Sequence, residues 1–394
     1  MAWLIRHAVL LSVMLVTVLA TPATNAETTK PALAPETSAT ESALVVPPAS
    51  AAEPSYGTKA RLIEAVRPNY PYLARRDRRE GWVQLSFTIR PDGTVANPIV
   101  EDSTGVVEFE RAAIAAILKS RYEPATWQGR PVEQCASRFR YQFVMYGDQI
   151  GARPTFVRSW KEAAQLMEEQ RYEEAAARLD AMDREGTWSN YEIARLWLLR
   201  ASLQARTGDK EEQLRSLRRA TVGHGSDLEQ KLYREALLQR FALEVQLSEF
   251  GAALDTHEEM KASRPALVDP RVERATAEIE RKIHSQDTFA FPGVIGFRSG
   301  CAEGRPNWQH QLLRRTFAFS DLEGQVDDFE LRCDWKRVVD KVSPDKTWQV
   351  PASWGYCEIY VFGAQGARLK LVELPLASGE KRIERPRRDM PNLN

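Results

Sequence analysis

Alternating apolar and polar residues between positions 81 and 90 constrain the fold of this chain more than any other local pattern. Every second residue there is apolar: Val83, Leu85, Phe87 and Ile89. A period of two is typical of a half-buried β-strand. Pro91-Asp92-Gly93-Thr94 then supplies a turn in which glycine can adopt a positive φ. The sequence therefore predicts a β-hairpin whose second strand runs from Val95 to Val100.

The residues after the hairpin predict a helix and a third strand. Apolar residues first recur every three or four positions, as on one face of a helix: Phe109, Ala112, Ala113, Ala116 and Ile117. After Gly129-Arg130-Pro131, alternation returns at Phe139, Tyr141, Phe143 and Met145. We therefore predict a small ββαβ domain over residues 59–148, with an outer strand from Arg138 to Met145.

This segment resembles the C-terminal domain of the TonB family of envelope energy transducers. The matching positions, in chain order, are Pro68-Asn69-Tyr70-Pro71, Ala74, Gly81, Val83, Phe87, Ile89, Asp92-Gly93, Val95, Phe109, Ala112, Arg121-Tyr122-Glu123-Pro124-Ala125 and the turn from Gly129 to Val132. They cover about a quarter of the chain. The resemblance implies a domain that binds an extended segment of an outer-membrane receptor by adding it to the edge of the sheet.

The partner-binding surface implied by the resemblance is the outer strand. An edge strand presents unpaired N–H and C=O groups, which an incoming chain can satisfy. We therefore predict a partner-binding strand edge at Asn69, Tyr70, Arg138, Arg140, Gln142 and Val144. The alternative is that self-pairing, or the helical region that follows, blocks this edge.

Three features depart from the family pattern. Transducers usually end with this domain, whereas about 250 residues follow it here. Arg67 stands before Pro68, where the best-known pattern carries glutamine, so selection of the same receptor segment is in doubt. Transducers also need an uncleaved anchor helix to dock on the inner-membrane motor, and cleavage after Ala26 would leave a domain that can only bind.

The amino terminus predicts export. Arg6-His7 precedes an apolar run from Ala8 to Ala20, and Thr24-Asn25-Ala26 offers small residues for cleavage. Because this run is shorter than the roughly 20 residues of a spanning helix, we predict that residues 1–26 are a signal peptide. An inner-membrane anchor is the alternative. Residues 27–58, rich in Ala, Pro, Thr and Ser, predict a disordered linker.

The remaining sequence predicts a helical region and a second β region. Helix-pair junctions at Tyr172, Asp209 and Phe250 are 37 and 41 residues apart (209 − 172 and 250 − 209). This spacing is close to the roughly 34-residue tetratricopeptide period, so residues 155–286 resemble a degenerate tetratricopeptide-like array that binds a second protein. A plain helical spacer is the alternative. Residues 288–376 predict a small antiparallel β domain, and residues 377–394 a disordered basic tail.

The four cysteines favour a structural role. No Cys-x-x-Cys pair occurs, which argues against a zinc ribbon or a thioredoxin-like redox site. An oxidising envelope compartment permits disulfides. Cys333 and Cys357 lie in predicted strands of one small domain, and we predict a disulfide between them. The alternative is that all four are buried thiols, and Cys135 and Cys301 are left unassigned.

No motif in the chain indicates catalysis, a cofactor or a metal. The histidines are isolated, and the Gly-rich phosphate loop and the nucleophile elbow are both missing from the sequence. The formal net charge is zero, so no global field favours nucleic acid. The basic cluster Arg75-Arg76-Asp77-Arg78-Arg79 either meets an acidic partner or anionic glycan, or is a solvated loop.

These patterns predict an α+β multidomain protein that is not an enzyme, and the resemblance implies that it belongs to the Gram-negative envelope. We expect it in the periplasm, where it binds an extended segment of an envelope or outer-membrane protein in energy-coupled transport across the outer membrane. With an anchor through residues 1–26, an inner-membrane motor complex would be a further partner. The first alternative is a soluble periplasmic scaffold or assembly factor that uses the domain and the helical repeats only for protein–protein interaction. A third possibility is an envelope enzyme with its site in the C-terminal β domain.

Overall fold

The computed structural model describes residues 57–127, 129–145, 151–185, 188–223, 228–263, 269–296 and 305–384. The predicted signal peptide, nearly all of the predicted linker, Cys301 and the end of the predicted tail lie outside these residues. Within the described ranges, no helix combines the length and the apolar character needed to cross a membrane. The described residues all follow Pro54 and cluster as one unit.

A three-stranded antiparallel sheet with one long helix forms the first part of the described chain. Its elements are β1 (Gly57–Thr58), β2 (Arg61–Glu64), α1 (Tyr72–Arg76), β3 (Gly81–Ile89), β4 (Val95–Ser103), α2 (Val107–Lys119), β5 (Arg121–Glu123), β6 (Ala125–Trp127), β7 (Arg130–Val132) and β8 (Gln134–Phe143). The main sheet has the order β4-β3-β8, and the short strands pair as β2-β5 and β1-β6-β7. The strand β8 therefore begins four residues before the predicted start at Arg138.

Helix α2 packs on one face of this sheet. The apolar side chains of that face form one buried cluster with the helix: Val83, Leu85, Phe87, Phe109, Ala113, Ile117, Phe139, Tyr141 and Phe143. The rings of Phe109 and Phe143 stack with their centroids 4.1 Å apart. The alternation in β3 predicted a half-buried strand, but only Gln84 of its nine residues is even partly exposed. The prediction missed this because the second face of the sheet lies against later parts of the chain.

Helices occupy the middle of the chain. They are α3 (Pro154–Glu168), α4 (Tyr172–Glu185), α5 (Asn190–Thr207), α6 (Lys210–Thr221), α7 (Gln230–Gln246), α8 (Phe250–Ser263) and α9 (Pro270–Ile283). Three of the turns between them contain a residue with positive φ: Gln170 at 60°, Gly208 at 84° and Ser248 at 60°. After each, the next amide donates to a carbonyl five residues earlier, at 2.8–3.1 Å. These three helices therefore end in the same way, while the tetratricopeptide-like identification stays a prediction.

Two four-stranded antiparallel sheets form the last part of the described chain. Their strands are β9 (Phe289–Val294), β10 (Asn307–Gln311), β11 (Thr316–Glu323), β12 (Val326–Cys333), β13 (Arg337–Lys341), β14 (Thr347–Gln349), β15 (Cys357–Gly363) and β16 (Arg368–Glu373). The sheet orders are β10-β15-β12-β13 and β14-β11-β16-β9. The two sheets form a sandwich, because Phe317 and Phe319 of one contact Phe329 of the other. A disulfide joins Cys333 of β12 to Cys357 of β15, and Cys135 is a buried free thiol.

Helix α9 is fixed to the sandwich by a buried cation. The side chain of Arg314 donates to the carbonyls of Ile283 at 2.8 Å and Lys282 at 3.0 Å, in the last turn of α9. Its guanidinium also lies 3.9 Å from the ring centroid of Phe289. The last carbonyls of a helix have no hydrogen-bond donors within the helix. The guanidinium of Arg314 supplies donors for two of these carbonyls in α9. The helices α7 to α9 and the sandwich consequently share one hydrophobic core.

Candidate functional site

The outer edge of β8 is the candidate site. On its inner side β8 pairs with β3, and no strand in the described ranges is hydrogen-bonded to its outer side. The amide of Trp82 donates to Thr104 Oγ1 at 3.3 Å, and its carbonyl accepts from the Thr104 amide at 3.1 Å. The backbone of Trp82 therefore faces β4. Since Trp82 stands opposite Gln142, these two form a non-hydrogen-bonded pair, and the N–H and C=O of Gln142 point outward.

The alternation of inward-facing and outward-facing backbone groups continues along β8. The register from Gly81 opposite Phe143 to Phe87 opposite Ser137 contains no bulge. Arg138 and Arg140 are therefore in the same phase as Gln142, with backbone groups toward the outer edge and side chains on the second face of the sheet. The structure thus places three predicted site residues in one row. Val144 follows the strand and is 46% exposed.

Tyr70 lies at the Phe143 end of β8. Its ring makes edge contacts with Phe109 and Phe143, at centroid distances of 5.5 and 5.7 Å. Its hydroxyl donates to the carbonyl of Arg79. Burial and the nearby Glu80 carboxylate raise the pKa of Tyr70 to about 12, so the phenol stays a neutral donor. Asn69, the neighbouring predicted site residue, is exposed.

The side chain of Arg138 is used inside the protein. Its Nε donates to both carboxylate oxygens of Glu101 on β4, at 2.6 and 2.7 Å, and its Nη2 donates to Glu358 on β15. Only 9% of the Arg138 side chain is exposed. Burial opposes its charge, but Glu101 and Glu358 outweigh that effect and raise the pKa of Arg138. The hydroxyl of Tyr360 adds a bond to Glu101 at 3.2 Å.

Arg140 and its neighbours connect the same face to the helices. Its Nη1 donates to the carbonyl of Val222, just after the end of α6. Arg219 of α6 reaches across to Asp102 on β4 at 3.0 Å. The side chains of Arg138 and Arg140 are thus engaged within the chain, whereas that of Gln142 is exposed. In the predicted site, the side chains of these two arginines therefore contact other parts of the chain and not the outer edge.

Glu80 fixes the last part of β8. Its carboxylate accepts from the Met145 amide at 2.8 Å and from the Asn190 amide at 3.0 Å, at the start of α5. A carboxylate at a helix amino terminus satisfies an orphan amide and favours the helix dipole. Sequence reasoning assigned no role to Glu80, Glu101 or Glu358. The one local signal was Trp82, a large aromatic residue at a position in β3 that alternation assigns to the solvent face.

The described residues contain no group of three or more His, Cys, Asp or Glu side chains that could hold a metal ion. The arrangement of β8 suits recognition of an extended chain, since Gln142 points one backbone donor and one backbone acceptor outward.

Comparison with known proteins points to the same segment. Residues 66–145 match the family model described as Gram-negative bacterial TonB protein C-terminal. The protein TonB of Klebsiella pneumoniae is 37% identical over 71 residues, which are 18% of this chain and 28% of that protein. The chain therefore spans well under half of that curated relative. A solution NMR structure of the Pseudomonas aeruginosa TonB CTD is 26% identical and covers 23% of this chain and 92% of its own, with a TM-score of 0.21.

Proposed function

Because residues 66–145 form a TonB-like C-terminal domain, we propose that this chain binds an extended segment of an envelope or outer-membrane protein by strand addition to β8. Membership of this family indicates a role in energy-coupled transport in the Gram-negative envelope, and the family is not catalytic. The observation that carries the proposal is the outward amide and carbonyl of Gln142, at an edge with no paired strand among the described residues.

The edge is held in place before a partner arrives. The β3 ladder fixes β8 on one side, the Glu101–Arg138–Glu358 contacts fix its second face, and Glu80 fixes Met145. Binding is weakened by the cost of ordering flexible groups. A strand already fixed by these contacts loses little freedom, so most of the backbone hydrogen bonding contributes to affinity.

A guest strand on β8 would present alternate side chains to two different environments. Side chains on the α2 face would lie toward Tyr70 and Phe143, which are aromatic. Side chains on the second face would lie on the side where the helices and the sandwich cover the sheet. Backbone bonds supply affinity in this mode, and the pockets for alternate side chains supply selectivity.

The experiment replaces Gln142 with proline. This change removes the outward amide but no hydrogen bond to β3, because Gln142 is in a non-hydrogen-bonded pair with Trp82. The matched control is Gln142→Ala, which keeps the amide. The probes are synthetic peptides from extended segments of outer-membrane receptors, and calorimetry measures their binding to the full chain.

We expect Gln142→Pro to lower peptide affinity by about tenfold or more, roughly the loss of one well-formed hydrogen bond. Gln142→Ala should bind like the unmodified chain. Equal affinity of the proline variant, with an unchanged circular dichroism spectrum, would show that β8 is not the contact. Failure of every receptor peptide to bind the unmodified chain would also contradict the proposal.

A second candidate is a periplasmic scaffold or assembly factor that uses the same edge without transmitting force. The covered second face favours it, because the helices and the sandwich are attached to the domain through Arg138, Arg140 and Arg219. In this version the tetratricopeptide-like helices hold a second protein. In the transducer version residues 1–26 stay in the inner membrane and the motor complex is a partner.

The mature amino terminus separates these two versions. If the native protein begins at Glu27 and is released by osmotic shock, no anchor remains and the transducer version is wrong. If the native protein keeps residues 1–26 and fractionates with the inner membrane, the scaffold version loses its support.

A further inference from the structure

Helix α1 exposes apolar side chains to an unusual degree. Tyr72 is 76% exposed, the highest value among the exposed large hydrophobic residues of the described chain, and the adjacent Leu73 is 51% exposed. Ala74 is the buried residue of α1. With about 100° between successive helical residues, Tyr72 and Arg76 point directly away from Ala74, toward solvent.

Positive charge surrounds the exposed apolar side chains of Tyr72 and Leu73. Arg75, Arg76 and Arg78 are exposed. Asp77 is the one acidic residue between Tyr72 and Arg79, and it pairs with Arg76 at 2.7 Å. We call Tyr72, Leu73, Arg75, Arg76 and Arg78 the α1 patch. It combines two exposed apolar side chains with a local excess of positive charge, although the whole chain is neutral.

We propose that the α1 patch docks on an anionic phospholipid surface. Tyrosine places an apolar ring and a polar hydroxyl at the level of lipid headgroups, and leucine inserts beside it. Arginine side chains pair with lipid phosphates through bidentate hydrogen bonds while their aliphatic stems lie along the apolar boundary. This proposal goes beyond strand addition and does not depend on it.

The apolar pair decides between a lipid surface and a hydrophilic polyanion. An acidic peptide segment would satisfy the arginines but would give no reason for two neighbouring apolar side chains to be exposed. A membrane uses both, because binding of an amphipathic surface grows with buried apolar area and with attraction to anionic lipids. Charge complementarity and the exposed apolar area therefore indicate the same occupant.

The patch also lies near the candidate edge. Tyr70, two residues before Tyr72, packs against Phe143 at the end of β8. A chain docked through α1 would hold that end of β8 close to a lipid surface, where segments of membrane proteins emerge.

The test is co-sedimentation of the full chain with vesicles of two compositions. One is phosphatidylcholine alone, and the other is phosphatidylcholine mixed with phosphatidylglycerol. The readout is the difference in bound protein between them, so any insertion by the apolar run at residues 8–20, which is common to both, does not enter. The patch variants are Tyr72→Ser with Leu73→Ser, and Arg75→Gln with Arg76→Gln. The matched controls are Leu118→Ser, at a 42% exposed leucine on α2, and Arg90→Gln with Arg130→Gln.

We expect the arginine variant to lower the affinity for anionic vesicles by about tenfold or more, since each arginine near such a surface contributes about fivefold. The variant with Tyr72→Ser and Leu73→Ser should lower it by about tenfold or more as well, because binding also grows with the apolar area that the membrane buries. The controls should change it by less than about twofold. Anionic-vesicle binding that neither patch variant reduces would overturn the proposal. A loss seen only with the arginine pair would also overturn it, because it would identify a hydrophilic anion such as an acidic segment.

Discussion

The guanidinium of Arg138 lies between the carboxylates of Glu101 and Glu358, and the second of these residues is 220 positions further along the chain. One cation thus joins β4, β8 and β15. The strand β8 is also the candidate binding edge. Its Arg138 side chain is held by these carboxylates, and the backbone of Gln142 points outward at the candidate site. The domain near the amino end and the sandwich are therefore coupled through the strand that we propose binds the partner.

Replacing Arg138 with methionine should destabilise the folded chain strongly. The change keeps much of the side-chain volume but leaves Glu101 and Glu358 buried without their cation, and removing one member of a buried ion pair costs about 3–5 kcal/mol. Urea unfolding followed by circular dichroism measures this. The matched control is Arg171→Gln, which breaks exposed pairs with Glu169 and Glu174 and should leave the urea midpoint almost unchanged, because solvent screens such pairs. Equal effects of the two variants would mean that the Arg138 contacts contribute no more than surface pairs.

Glu330 should make stability fall in acid. Burial alone would raise the pKa of this carboxyl group, but the hydrogen bonds from Arg337 and Arg332, at 2.6 Å each, outweigh it and hold the pKa below the usual 4.5. A depressed carboxyl pKa means that the unfolded chain binds the proton more readily. The stabilisation is therefore present above pH 4.5 and is lost as the pH falls through the lower, folded-state pKa.

The measurement for Glu330 is the urea midpoint between neutral pH and acid. Glu330→Gln should be less stable at neutral pH, because Arg332 loses its charged partner, and should lose less stability on acidification than the unmodified chain. Identical acid slopes for Glu330→Gln and the unmodified chain would contradict the assignment.

Gly93 should be intolerant of any side chain. Its φ is +79°, and an added Cβ would lie 2.1 Å from the carbonyl oxygen of Tyr122, which is closer than any real contact. Gly105 is the matched control, since its φ is +83° but nothing lies within 4 Å of an added Cβ. Gly105→Ala should cost roughly 1–2 kcal/mol from backbone strain alone. Gly93→Ala should cost clearly more in the same unfolding measurement, and equal costs would show that the Tyr122 contact relaxes freely.

Local patterns predicted the elements near the amino end because each depends on neighbours in sequence. The alternation of Val83, Leu85, Phe87 and Ile89 indicates which face of β3 packs against α2, and Gly93 marks the position of the turn. The pairing of Cys333 with Cys357 could also be predicted, since both lie in strands of one small region. The structure contains this disulfide.

Contacts between distant residues left no such pattern. Nothing near Arg138 in sequence indicates Glu358, so the buried second face of the sheet was not predicted. The strands β10 and β13 were missed as well, because Asn307–Gln311 and Arg337–Lys341 show little apolar alternation and owe their conformation to pairing with β15 and β12. Sequence thus located the candidate strand but not what fixes it in place.

The most direct test of strand addition is residue-resolved amide hydrogen exchange along β8, with and without a bound receptor peptide. The amide of Tyr141 bonds to β3 and should be protected in both states. The amide of Gln142 points outward and should exchange rapidly in the free chain, then become protected when the peptide adds to the edge. A peptide that binds while the Gln142 amide continues to exchange at its free rate would contradict the account.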